Sequence, residues 1–236
     1  MTKAAEYYQR IREIINGIAE TQADGIQEAA ALIADLIAKD GVLYILGSGH
    51  SLMVAAEAHH RAGGLVPVDV IHDKTFGRAE RLEGYAKVLL DEYNVPGGGV
   101  VVIASNSGRN ALPIEMALEC KGRGIKTIAI TSLAHSKSVT ARHPSGKRLF
   151  EIADIVIDNR GVPGDAILEM EGCPGKFCAT SAVAGAFIMQ SIIAQTIENL
   201  VKMGVTPPVL ISANIDGGDE HNKRIMAKYR GRIKGL

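Results

Sequence analysis

This chain of 236 residues has no net charge, because 26 Lys and Arg are matched by 26 Asp and Glu. No global field gathers nucleic acid or anionic lipid, so neither is expected as a partner. Apolar residues never run uninterrupted for anything near the roughly 18 that a membrane span needs. Thr2 to Arg12 is polar and amphipathic, unlike a secretory signal, which makes the expected location cytoplasmic. Cysteine is scarce: Cys120, Cys173 and Cys178 are odd in number and lack Cys-x-x-Cys spacing. That pattern excludes a disulfide framework and a structural zinc site, and no metal or cofactor is expected. No stretch has the composition of a linker, so residues 1–236 are read as one domain, and 47% hydrophobic content is ordinary for a globular fold.

What is present is organised around Val42 to Ser51. A short β-branched run ending at Leu46 is cut by Gly47-Ser48-Gly49-His50-Ser51, and a helical pattern follows through Val54, Ala55 and Ala58. Strand, glycine turn and helix start is an arrangement that holds anions, because free N–H groups and the helix dipole favour negative charge. Ser51 adds a hydroxyl at the expected cap. The theme recurs at Val100 to Ala104, which runs into Ser105-Asn106-Ser107-Gly108-Arg109-Asn110 and then a helical pattern. In a parallel sheet both loops emerge at the carboxyl edge, where open α/β folds bind ligands. Thr131-Ser132 supplies a further hydroxyl pair after the strand expected at 126–130.

The rest of the chain alternates in the same way. Helical periodicity covers 3–38, with Asp24-Gly25 as its expected kink or break, and the first loop's helix should run to about Ala62. Strands are expected at 66–70 and 155–157, helices near 81–92, 111–122 and 147–153, and a long apolar helix at 177–203. Asn159 to Lys176 reads as a functional loop, and a basic helix is expected from Lys223 onwards. Alternating strands and helices imply an α/β three-layer sandwich around a mainly parallel five-stranded sheet.

The two loops together resemble the sugar isomerase (SIS) domain, over roughly residues 5–203. Arg61 to Pro67, Ser145 to Leu149 and Gly218 to Asn222 are similar to a bacterial subgroup labelled phosphosugar isomerase. More distant similarity reaches phosphoheptose isomerase and N-acetylmuramic acid 6-phosphate etherase. The resemblance implies that the phosphate of a sugar phosphate or amino-sugar phosphate is held by Gly49, His50, Ser51, Ser105, Asn106, Ser107, Asn110 and Ser132, with the Gly108 amide assisting. Asn110 departs from the threonine common there, but an amide still donates to phosphate. The long apolar helix at 177–203 and the basic tail suggest a homodimer or homotetramer, and the resemblance implies sites near subunit interfaces.

Isomerisation or ether cleavage by α-proton abstraction needs a base. Glu57 lies six residues past Ser51 among alanines, about 9 Å along the helix and about 120° round it. Apolar surroundings would raise a carboxylate pKa, so base and plain interface carboxylate both stay open. Glu220 and His221 follow a flexible Gly217-Gly218, and by the resemblance either is a candidate for ring opening, against a helix cap at Asp219. Glu169 and Glu171 are further acids, while His72 and Asp73 close a strand as cleft or loop residues. His59 and His60 are adjacent, hence about 100° apart on a helix, and cannot form an i, i+4 metal pair. Two other readings remain. A dinucleotide site has Gly47, Gly49 and Asp69 in its favour but Leu52 in place of the third glycine. A phosphosugar sensor working through a partner protein needs the same loops and no base.

Overall fold

The computed structural model describes residues 1–234. The amino-terminal periodicity forms α1 (Lys3–Thr21) and α2 (Ala23–Ala38). Thr2 caps α1, its hydroxyl accepting the Ala5 N–H at 3.2 Å. The break falls at Gln22 rather than at Asp24-Gly25, because the Gln22 side chain leaves the helix to accept the Asp158 N–H at 2.9 Å. Gly25 stays helical and faces Ile157. Next come β1 (Leu43–Gly47), α3 (Leu52–Ala58), β2 (Val68–His72), α4 (Tyr85–Tyr93) and β3 (Val100–Ala104). They are followed by α5 (Ala111–Gly122), β4 (Lys126–Thr131), α6 (Leu133–Lys137) and β5 (Ile155–Asp158).

The five strands form one parallel sheet in the order β2-β1-β3-β4-β5. Successive side chains point to opposite faces, and both faces are covered. Leu43, Ile45, Val100 and Val102 face α1, α2, α3 and the long carboxyl-terminal helix; Tyr44, Leu46, Val101 and Ile103 face α4 and α5. A sheet buried on both sides leaves its edges for chemistry, and all the strands present their carboxyl ends to one of them.

Several boundaries differ from the sequence expectation for identifiable reasons. α3 stops at Ala58 because His59 turns extended and its ring Nδ1 meets the Val68 carbonyl at 2.9 Å. Val66, read as strand, instead bonds the Pro208 carbonyl, and β2 starts at Val68. Residues 81–84 form turns, so α4 begins only at Tyr85, after Gly84 in the left-handed region. The short helix near 147–153 is a single 3-10 turn at Leu149–Glu151. Part of the stretch read as loop forms the first strand of a hairpin, β6 (Ala166–Leu168) with β7 (Phe177–Ala179), so the long helix α7 spans Ser181–Lys202. The carboxyl-terminal helix α8 is Gly218–Met226.

Gly185 explains how α3 and α7 come together. A methyl group there would lie 2.5 Å from Val54 Cγ2, a separation that forces a shift. Glycine inside a helix costs about 1 kcal/mol relative to alanine, a cost offset here by close packing beneath the first loop. Gly185→Ala should destabilise the protein by about 1–3 kcal/mol through overpacking. Combined with Val54→Ala, the loss measured by urea unfolding should be smaller than the sum of the single losses by at least about 0.5 kcal/mol.

Candidate functional site

At the carboxyl edge the register places Gly47 of β1 beside Ala104 of β3, so the two loops start one strand spacing apart, about 4.8 Å. Gly47 has no alternative: a Cβ there would collide with the Ser51 carbonyl as the chain doubles back through a 3-10 turn. The loops open onto a cleft of about 560 Å³ lined by Ser48 to Ser51, Phe76 to Arg78, Glu80, Ser105 to Ser107, Asn110, His135, Gly164, Asp165 and Ser181.

The hydroxyl groups are held in distinct ways. Ser48 Oγ donates to Asp73 Oδ2 at 2.6 Å. Ser51 makes no capping bond, which leaves its hydroxyl to the cleft. Ser105 is buried and its Oγ accepts the Gly108 N–H at 3.3 Å, so its own proton remains to be donated while the Gly108 amide is engaged. Among the described residues the amides of Asn106 and Ser107 have no acceptor in the chain. The Asn106 side chain accepts from Asn159 Nδ2 at 3.0 Å. Asn110 starts α5 without capping it; its Oδ1 accepts from Arg142 at 3.1 Å, which leaves the NH₂ group free to donate.

Gly49, His50, Ser51, Ser105, Asn106, Ser107 and Asn110 are thus brought together around one cleft. Ser132 lies beneath it, fully buried; its hydroxyl donates to the Gly161 carbonyl at 2.5 Å and caps α6 through His135 N–H. Glu57 is outside the cleft lining, on the α7 side of α3, where its carboxylate accepts from Arg61 and, at 3.1 Å, from Gln190. Glu220 and His221 belong to α8, and the His221 ring meets the Val209 carbonyl at 3.0 Å. That segment pairs with Gly64 and Leu65 ahead of β2, at the amino edge of the sheet. Within the chain the three residues therefore do not meet the two loops.

The sequence reading missed Phe76, Arg78, Glu80, His135 and Asp165 as cleft residues; their signal was only their place in the segments following the strands, His135 on α6. Asp73 accepts from Ser48, from Thr75 N–H at 3.0 Å and hydroxyl, and from Gly77 N–H at 2.7 Å. Burial alone would raise its pKa, but the hydrogen bonds from Ser48, Thr75 and Gly77 outweigh it and hold the carboxyl below its usual range. Asp165 is likewise opposed by burial but held low by Ser181 and Thr180, whose N–H and hydroxyl groups it accepts. Burial also lowers the pKa of His135, outweighing the opposing pull of Asp165 and aided by Arg109; its Nδ1 is buried without a partner. Carboxylates with lowered folded-state pKa contribute stability that is complete above the unfolded value, about pH 4, and lost as pH falls through the folded one. Urea unfolding between pH 6 and 3 should therefore show an acid loss of stability, and Asp73→Asn should lower the plateau and flatten that loss.

A family model described as SIS domain matches residues 6–132. A UPF0309 protein of Listeria monocytogenes is 43% identical over 227 residues, covering 96% of this chain and 97% of the relative. Among solved structures, a phosphoheptose isomerase from Francisella tularensis superimposes with a TM-score of 0.58 at 15% identity, over 84% of this chain and all of that one. The sugar isomerase domain of an RpiR transcription factor from Sphaerobacter thermophilus gives 0.51 at 15%, over 85% of this chain and 97% of that domain. These structural likenesses share the sheet and its flanking helices. With the domain model matched over more than half of its length and a close relative along nearly all of it, the chain belongs to the SIS-domain family and, within it, to the UPF0309 proteins.

Proposed function

We propose that the protein binds a sugar phosphate in this cleft and abstracts the sugar's α-proton, which an aldose–ketose isomerase returns to the neighbouring carbon and a related sugar-phosphate lyase follows with loss of the β-substituent, in the cytoplasm. The observation that carries the binding half is the convergence of two hydroxyl-and-glycine loops on one cleft, with the unbonded amides of Asn106 and Ser107 at the start of α5. Ser51, Ser105, Ser107 and Asn110 donate to the phosphate, and Arg78 supplies positive charge at the rim. Two structural neighbours, a phosphoheptose isomerase and a protein of E. coli CFT073 in complex with A5P, support the same ligand class.

For proton transfer the cleft itself offers Glu80 and His135. Burial favours the uncharged His135 imidazole, the form able to accept a proton. Glu57, Glu220 and His221 enter the reaction only where a second copy brings them to the cleft. Exposed Met53, Phe76 and Val183, next to or among the cleft-forming residues, support assembly into a dimer or tetramer with sites near the interface. Sedimentation of a compact monomer at micromolar concentration would remove that part of the proposal. A phosphosugar sensor is the second reading, favoured by the displacement of these acid and base residues from the cleft and by the RpiR neighbour.

Calorimetric titration with glucose 6-phosphate, glucosamine 6-phosphate and a heptose 7-phosphate tests binding, with the dephosphorylated sugars as controls. Ser105→Ala should weaken the phosphorylated ligands by about 1.5–3 kcal/mol, the worth of a hydrogen bond to a charged group, and Asn110→Asp should abolish binding by repulsion. Equal affinity for phosphorylated and dephosphorylated sugars would refute the site. Solvent deuterium incorporation at the α-carbon then separates enzyme from sensor: His135→Gln should slow it by about 10²–10⁴ if His135 is the base. Absence of incorporation in wild-type protein with a tightly bound sugar phosphate would establish the sensor.

A further inference from the structure

Beside the cleft lies a group of guanidinium side chains that the phosphate loops do not account for. Arg142 donates through Nη1 to Asn110 Oδ1 at 3.1 Å and through its amide to the Arg109 carbonyl at 2.7 Å. Arg109 is pinned in turn, its Nε donating to the Thr140 carbonyl at 2.9 Å. Arg81 joins them because the Leu112 N–H of α5 bonds the Glu80 carbonyl at 3.0 Å, drawing the segment after β2 onto the first turn of α5. Arg81 and Arg142 are exposed at this rim; desolvation first, and then the charges of Arg109 and Arg81, lower the pKa of Arg142, with Glu80 opposing.

Four of the thirteen arginines, Arg10, Arg61, Arg123 and Arg148, are paired with carboxylates among the described residues. Among the described residues Arg81, Arg109 and Arg142 have no such ion pair. The acids facing the group do not neutralise it. Glu115 is occupied by the Gly84 N–H and His143, which leaves Glu80 against three guanidinium groups. In a chain of zero net charge such a concentration is local. Like charges repel, and fixed guanidinium groups are suited to bidentate binding of phosphate or carboxylate.

We infer that the ligand carries a second anionic group, phosphate or carboxylate, which Arg81, Arg109 and Arg142 hold next to the phosphate bound by the two loops. This rests on the sugar-phosphate reading and narrows it to sugars with two anionic groups. Asn110 joins the two subsites, its oxygen fixed by Arg142 and its NH₂ group facing the first phosphate.

The test is calorimetric titration of wild-type protein, Arg81→Gln and Arg142→Gln. The probes are glucose 6-phosphate, fructose 1,6-bisphosphate, 6-phosphogluconate and UDP-glucose. At least one doubly anionic probe should bind wild-type protein tenfold or more tightly than glucose 6-phosphate. The probe that gains identifies the second group as phosphate, carboxylate or the second phosphate of a diphosphate. Both substitutions should cut the ratio of the two affinities by about tenfold. Binding of glucose 6-phosphate with no gain for any doubly anionic probe overturns this inference and leaves the sugar-phosphate reading standing; failure of all four to bind overturns both. Sedimentation of the same variants completes the test. A changed oligomeric state with an unchanged affinity ratio would make the arginines an interface between copies and refute the second subsite.

Discussion

One buried carboxylate holds the mouth of this fold together. Asp73 emerges immediately after β2 and collects the hydroxyl of Ser48 from the β1 loop and the amides of Thr75 and Gly77 from its own. Between those two amides Phe76 is forced to φ +54, in the left-handed region, while the residue is 72% exposed. A bulky residue held there costs on the order of 1–3 kcal/mol, which hydrogen bonds to a charged acceptor, each worth about 1.5–3 kcal/mol, can sustain. The first loop and the rim carrying Phe76, Arg78 and Glu80 are thus one mechanical unit.

Below that unit the sheet is ordinary in its physics. Alternation along β1 and β3 divides the core cleanly between its two faces, and the close meeting of Gly185 with Val54 seats α3 against α7. The helix that follows the first loop has little room to slide. Binding therefore starts from loops already arranged, and little ordering entropy is left to lose.

Much of this was legible in the residues. The β-branched runs, the glycine breaks and the hydroxyl clusters sufficed for a five-stranded parallel sheet and for both loops, because strand periodicity and turn chemistry are local. Long-range contacts were harder to read. Gln22 breaks the first helical stretch through a bond to Asp158, 136 residues away, and no local rule favours it over Asp24-Gly25. Ser132 has the composition of a ligand residue, yet its hydroxyl is consumed by Gly161. Glu57 was placed from helix geometry alone, which does not say that Gln190, 133 residues away, lies on its side. Arg81, Arg109 and Arg142 are scattered in sequence, and only the bond of Arg142 to the Arg109 carbonyl and the docking of Glu80 on Leu112 show them to be neighbours.

The capping of α7 by Asp165 has a directional consequence. A helix start is ordinarily attractive to anions, but here the Thr180 and Ser181 amides are already spent on an ionised side chain of the same cleft. The two walls of the cleft consequently differ: near α5 the Asn106 and Ser107 amides are donors without acceptors, beside Glu80, whereas at α7 the amides are already taken by the Asp165 carboxylate. A molecule with a charged head and a hydroxylated tail has one favourable way to lie between them, head to α5 and hydroxyls to Asp165. The fold thereby sets the heading of such a molecule before any specific contact is made.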